Sequence, residues 1–173
     1  MPDKIRETVK LEVTPADEIS ETLEAGRMPA NDIRILSAGS PEESERPYRE
    51  SSLFGRDLAE FLFGIKALLD DRQTTIELDT SDVRLTPLSE KEAVEVCFDL
   101  RGIPDEVRDY EPDIVDREAF VIEIHRVGKQ WYEDAFQINP ELNDLDWFQR
   151  IEQALQEAQT ALEEANIDSG TEG

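Results

Sequence analysis

The stretch TIELDTSDVRLTPLSEKEAVEVCFDL, residues 75–100, decides the fold class of this chain. Two runs in it alternate apolar and polar residues, Thr75–Asp79 and Val83–Pro87, and the polar residues 80–82 separate them. A third alternating run follows a second polar turn and places four apolar residues on one face: Val94, Val96, Phe98 and Leu100. A period of two is typical of half-buried strands, and short polar turns join antiparallel neighbours. The stretch therefore predicts an antiparallel meander.

Helical periodicity flanks this meander on both sides. Apolar residues recur every three or four positions across residues 54–69 and again from Phe148 to Leu162. A shorter helix is predicted between Thr14-Pro15, a typical helix start, and Gly26, a typical helix stop. Strands and helices that are partly segregated along the chain favour an α+β fold over a doubly wound parallel sheet.

The remaining strand patterns complete the predicted sheet. Residues 9–13 and 32–36 alternate, and residues 119–127 and 130–138 read as two further strands around Gly128-Lys129. We expect a mainly antiparallel sheet of about five to six strands packed against two to three helices. The length suits one domain, residues 1–166, followed by a flexible tail, residues 167–173.

Charge is the strongest compositional signal. The chain has 42 Asp and Glu against 18 Lys and Arg, a formal net charge of -24, and only five of the basic residues are lysines. Like charges at this density destabilise a compact state, and molar salt screens them. The composition resembles that of halophilic proteins from salt-accumulating cells, with hydrated cations at an acidic surface.

The same composition excludes several classes of protein. Nucleic-acid binding needs a basic patch, and none is visible in the sequence. No window has the roughly 20 apolar residues of a membrane span, and the start does not resemble a signal peptide. Cys97 is the one cysteine, which rules out an internal disulfide. We interpret the chain as cytoplasmic.

His125 and Glu123 are the candidate catalytic residues, in a sequence that shows no catalytic motif. His125 is the only histidine, so any imidazole proton transfer near neutral pH must use it. On a strand, Glu123 would share its face and could orient the ring or join it on a metal. The alternative is that both are exposed strand residues in an acidic chain, and no metal or other cofactor is predicted.

Two loops carry further candidate residues. Arg46, Tyr48 and Arg49 form a cationic and aromatic cluster that could recognise an anionic ligand or an acidic partner, or could balance neighbouring glutamates. The acids between Asp105 and Asp116 could gather around a hard cation, or form a solvated loop. Their spacing does not match a twelve-residue calcium loop, which favours the solvated loop.

The C-terminal helix is the best candidate for an interaction surface. Trp147 lies outside its apolar seam, which indicates a contact with another protein or with a second copy of the chain in a homodimer. The leading hypothesis is a non-enzymatic binding or regulatory protein. The alternative is a small hydrolase that uses carboxylates, with or without a divalent metal ion.

Overall fold

The computed structural model describes residues 5–37, 49–79, 81–100 and 112–167. These residues form two antiparallel sheets and four α-helices. The first sheet has the order β1 (Val9–Val13), β2 (Asn31–Ser37), β3 (Arg49–Ser51). The second has the order β4 (Thr74–Glu77), β5 (Ser81–Leu88), β6 (Ala93–Leu100), β7 (Asp113–Asp116). The helices are α1 (Ser20–Glu24), α2 (Phe54–Leu69), α3 (Arg117–Ile138) and α4 (Asp146–Glu164).

The predicted α+β class and the meander are confirmed. Strand β4 pairs with β5, and β5 pairs with β6, in consecutive antiparallel order. Val83 is the centre of this register, since it lies opposite Ile76 on one side and Phe98 on the other. Ile76 and Val83 are buried, as the alternating pattern requires of the inner face.

The predicted strand and helix counts differ from those observed. The strands belong to two sheets rather than one, and two short strands, β3 and β7, lie in segments that the sequence indicated as loops. A strand of three or four residues is too short to show a clear alternation, so neighbouring prolines and acids dominated its pattern.

The prediction of two strands over residues 119–138 is wrong, because this segment is helix α3. Its inward residues repeat at intervals of three and four, and all of them are buried: Phe120, Ile124, Val127, Trp131 and Ala135. Phe120, Ile122 and Ile124 alternate as in a strand, but Phe120, Ile124 and Val127 also fit a helical period, which is a known ambiguity of short apolar patterns. The carboxylate of Asp116 accepts a hydrogen bond from the Ala119 N–H at 2.9 Å and begins the helix.

Helix α2 lies at the centre of the core. It packs against α4, against α3 and against β4. Six large side chains on it are at most 1% exposed: Phe54, Leu58, Phe61, Leu62, Ile65 and Leu68. Burial on this scale stabilises a domain by roughly 1.5–3 kcal/mol per large apolar side chain, so the apolar face of α2 is a major source of the fold's stability.

The chain before β1 joins the two sheets. Arg6 donates its N–H to the Ile114 carbonyl at 2.8 Å and accepts from the Asp116 N–H at 2.8 Å, a parallel bridge to β7. Two residues of β7 therefore hold one residue of the N-terminal segment between them. Beyond this bridge the same segment continues into β1 and pairs with β2.

Candidate functional site

His125 lies inside the protein, on α3, and not on an exposed strand face. Its side chain is 2% exposed, and its Nδ1 atom has no hydrogen-bond partner among the described residues. Burial lowers the pKa of the ring below its ordinary value, and the nearby positive charge of Lys129 lowers it further. The imidazole is therefore neutral at neutral pH and shielded from solvent.

Glu123 does not share a face with His125. Residues two apart on an α-helix are separated by about 200° around its axis. The prediction that Glu123 and His125 share a face applied only to a strand and is therefore wrong. The Glu123 carboxylate instead accepts two hydrogen bonds from Arg126, each 2.9 Å long, and one from the backbone N–H of Leu11 at 2.9 Å. These bonds attach α3 to β1 and leave the carboxylate engaged as an acceptor.

The other predicted interaction residues are placed only in part. Arg46 and Tyr48 lie outside the described residues, and so does the side chain of Arg49. The backbone of Arg49, in β3, pairs with Ile33 in β2. Trp147 lies in the first turn of α4, is partly buried, and makes an edge-to-face contact with Phe148 at 5.5 Å between ring centroids.

The acidic loop is also described in part. Residues 101–111 lie outside the described part of the chain, and residues 113–116 form β7. Within the ranges that the structure describes, no group of three or more His, Cys, Asp or Glu side chains is arranged to hold a metal ion. None of the helices in those ranges is long and apolar enough to cross a membrane.

No sequence pattern indicated the buried pair that links β3 to α2. The Ser51 hydroxyl donates to Asp57 at 2.5 Å, and both residues are 1% exposed. Arg56 donates to the second carboxylate oxygen of Asp57 at 3.0 Å. Burial raises the pKa of Asp57, although the hydrogen bonds from Ser51 and Arg56 oppose that rise.

Ser51 also lines a surface cleft of about 400 Å³. Its other lining side chains are largely polar and include Asn31, Asp32, Glu50 and Asp79. Asp79 accepts from both the N–H and the hydroxyl of Ser52, at 2.9 and 2.8 Å. The carboxylate of Asp79 is therefore used in holding the start of α2 against the end of β4.

A second cleft runs between β1 and α3, and its lining is more varied. It has a volume of about 340 Å³ and is called the β1–α3 groove below. Four of its residues are at most 8% exposed and form an apolar floor: Leu11, Ala16, Val127 and Trp131. Charged and polar side chains surround that floor: Lys10, Glu12, Arg126, Gln130 and Asp134.

The charges around the groove are arranged unevenly. Near its start, Lys10 pairs with Glu12 at 3.0 Å and Arg126 pairs with Glu123 at 2.9 Å. At its far end, Asp134 accepts a hydrogen bond from Gln130 at 2.9 Å and also lines a neighbouring cleft of about 500 Å³ together with Asp17. The charged side chains at the start of the groove are therefore in ion pairs, and the carboxylates of Asp17 and Asp134 lie at its far end.

Comparison with protein-family models, with curated proteins and with solved structures finds no match to this chain.

Proposed function

We propose that this protein is a non-enzymatic binding or regulatory module of a salt-rich cytoplasm, and that the β1–α3 groove is its contact surface. The groove carries the proposal, because it combines an apolar floor with polar groups on both walls. Binding sites commonly have this composition, since the apolar surface supplies free energy and the polar groups supply orientation. Its walls are a strand and a long helix, which are rigid elements.

The state of the candidate catalytic residues also supports this proposal. Proton transfer requires a side chain within reach of a substrate. His125 is enclosed in the core, and Glu123 is bonded to Arg126 and Leu11. Neither residue offers a reactive atom to the groove.

One observation favours the alternative, a carboxylate-dependent hydrolase. Asp57 has a raised pKa and is bonded to Ser51, which lines the cleft of about 400 Å³. A perturbed carboxyl group beside a cleft is a recognised sign of a catalytic site. Asp57 itself does not line the cleft, and its two oxygens are engaged by Ser51 and Arg56, so the binding role is the better supported one.

The first test is a pull-down in molar potassium chloride with the purified chain as bait. Gln130 is exposed on the groove wall, so Gln130→Trp fills the groove without touching the core. Gln156→Trp, on an exposed face of α4, introduces the same bulk elsewhere. We expect the wild type and Gln156→Trp to retain one partner in stoichiometric amount and Gln130→Trp to lose it.

Two results would contradict the proposal. Equal retention by all three baits would place the contact surface elsewhere, and Trp147→Ala would then test the predicted surface on α4. Recovery of the bait chain alone would favour the hydrolase or a homodimer.

A further inference from the structure

The hydrogen bonds of β1 show which of its backbone groups face away from β2. Thr14 donates its N–H to the Asp32 carbonyl in β2, whereas the N–H of Leu11 points the other way, to Glu123. Backbone groups of alternate residues in a strand face opposite edges. The N–H and carbonyl groups of Val9, Leu11 and Val13 therefore face away from β2 and towards α3.

Several of these outward groups have no hydrogen bond to any described residue. Glu123 occupies the N–H of Leu11, but the Leu11 carbonyl and the Val13 N–H have no hydrogen bond to any described residue. Both residues line the β1–α3 groove. Unpaired donors and acceptors along a strand edge are a template for pairing with another chain.

The spacing of this donor and acceptor fits a parallel partner. A carbonyl and the N–H two residues later can hold one residue of a parallel strand between them. The same chain already uses this arrangement, where the Ile114 carbonyl and the Asp116 N–H hold Arg6. An antiparallel partner would need the N–H and carbonyl of one residue. Glu123 takes that N–H at Leu11, so antiparallel pairing is confined to Val13, whereas a parallel partner also uses the Leu11 carbonyl.

The charges at the far end of the groove specify the side chains of that partner. Among the described residues, neither Asp17 nor Asp134 has a cation within ion-pair distance. The carboxylates lie beyond Val13 in the direction in which β1 runs, because the groove continues from β1 through Ala16 towards Asp17. A parallel segment would reach them with residues that follow the one held by Leu11 and Val13.

We propose that the β1–α3 groove binds an extended segment of a partner polypeptide, which pairs in parallel with β1 through Leu11 and Val13 and presents a basic residue to Asp17 and Asp134. This inference rests on the proposed function, since it describes how the groove would hold its partner. A second copy of this chain is the less suitable occupant, because each copy carries a formal charge of -24. Strand addition supplies affinity through the main chain and specificity through side chains.

The test is amide hydrogen exchange, followed by NMR, with synthetic peptides as probes. The first peptide alternates valine and threonine and ends in two lysines. A second replaces the lysines with glutamates, and a third carries N-methyl groups on alternate backbone nitrogens. The lowest salt at which circular dichroism shows a folded chain is used, so that ion pairs are screened as little as possible.

The lysine peptide is expected to slow exchange of the Val13 N–H and to leave the Leu11 N–H unchanged, because Glu123 already protects it. The N-methylated peptide should not protect Val13, and the glutamate peptide should bind more weakly. Asp134→Asn should weaken the lysine peptide roughly two- to fivefold, as expected for one surface ion pair, with exposed Asp144→Asn as the matched control.

Val13→Pro removes the proposed donor and leaves the ladder to β2 intact, because that N–H does not take part in it. Val13→Pro should weaken binding of the lysine peptide about fivefold or more. Val13→Thr keeps the N–H and should leave that affinity unchanged. Absence of Val13 protection by every peptide at millimolar concentration would overturn strand addition. If strand addition failed in this way but Gln130→Trp still lost its partner in the pull-down, the proposed binding function would remain supported and only strand addition would be wrong.

Discussion

Burial governs the chemistry of individual side chains in this protein, and His125 is the clearest case. Its neighbours along the sequence are apolar or charged, and nothing in the pattern distinguishes an enclosed imidazole from an exposed one. The ring lies in the core with an unpartnered Nδ1 and a lowered pKa. An unpaired polar atom inside a protein is destabilising, so His125 is a site where the fold gives up stability.

The lowered pKa of His125 predicts a pH dependence of stability. The unfolded chain binds a proton at His125 near pH 6.5, while the folded chain keeps the ring neutral to a lower pH. The unfolded state therefore binds more protons in this window, and stability falls as the pH drops below about 6.5. His125→Gln removes this titrating group. The free energy of unfolding of the variant should therefore change less between about pH 7 and 5.5 than that of the wild type.

Denaturant titrations of both proteins across that range would measure the difference, whose slope cannot exceed about 1.4 kcal/mol per pH unit for one proton. No second histidine complicates the comparison, and carboxylates titrate mainly at lower pH. Parallel curves for the two proteins would contradict the prediction.

Among the secondary-structure elements, α3 and α2 approach each other closely at Gly128. A Cβ atom on Gly128 would lie 2.8 Å from Cδ2 of Leu62, which is closer than two carbon atoms can pack. The sequence suggested a turn at Gly128-Lys129, whereas the glycine is the point where two helices come together. Its small size, and not its conformational freedom, is what this position requires.

Gly128→Ala is therefore expected to destabilise the protein, although alanine favours helix formation by about 1 kcal/mol over glycine. Overpacking against Leu62 typically costs about 1–3 kcal/mol, which outweighs that gain. Gly64→Ala in α2 is the matched control, because its Cβ would meet Cγ2 of Thr74 at an ordinary 3.4 Å. Thermal melts should show a lower Tm for Gly128→Ala and an unchanged or higher Tm for Gly64→Ala.

The contact between α3 and α4 depends on Tyr132, a second detail that periodicity does not show. Tyr132 stacks on Phe148 with ring centroids 4.5 Å apart and donates its hydroxyl to Glu152 at 2.8 Å. Burial, together with the negative partner, raises the pKa of Tyr132 to about 12. A strand interpretation of residues 130–138 would have placed this ring in a sheet instead of against α4.

At the scale of the whole molecule, the net charge of -24 leads us to expect that stability depends on salt. The ion pairs within the described residues, such as Arg34–Glu12 at 2.6 Å, offset only part of the repulsion. Exposed pairs contribute little individually, so screening by salt has the larger effect.

We expect the melting temperature to rise between dilute buffer and molar potassium chloride, because at molar salt the Debye length falls to about 3 Å. Circular dichroism melts at a series of salt concentrations would measure this rise. Potassium chloride and sodium chloride should act alike if screening is the cause. A melting temperature that does not change with salt would contradict the prediction.

The sequence alone determined the α+β class, the β4–β5–β6 meander, and the apolar faces of α2 and α4. In these segments the apolar residues follow one period clearly, and local periodicity is set by which residues face the core. The acidic composition likewise needs no structure to be recognised.

Only the tertiary structure decided that residues 117–138 form one helix, that His125 is enclosed, and that β1 and α3 leave a groove between them. The apolar residues within 119–127 fit both a strand and a helical period, and the surrounding layers select between them. The groove depends on where two segments more than a hundred residues apart are brought together, as the bond from Leu11 to Glu123 shows. Such distances are set by packing across the whole core, which no local pattern records.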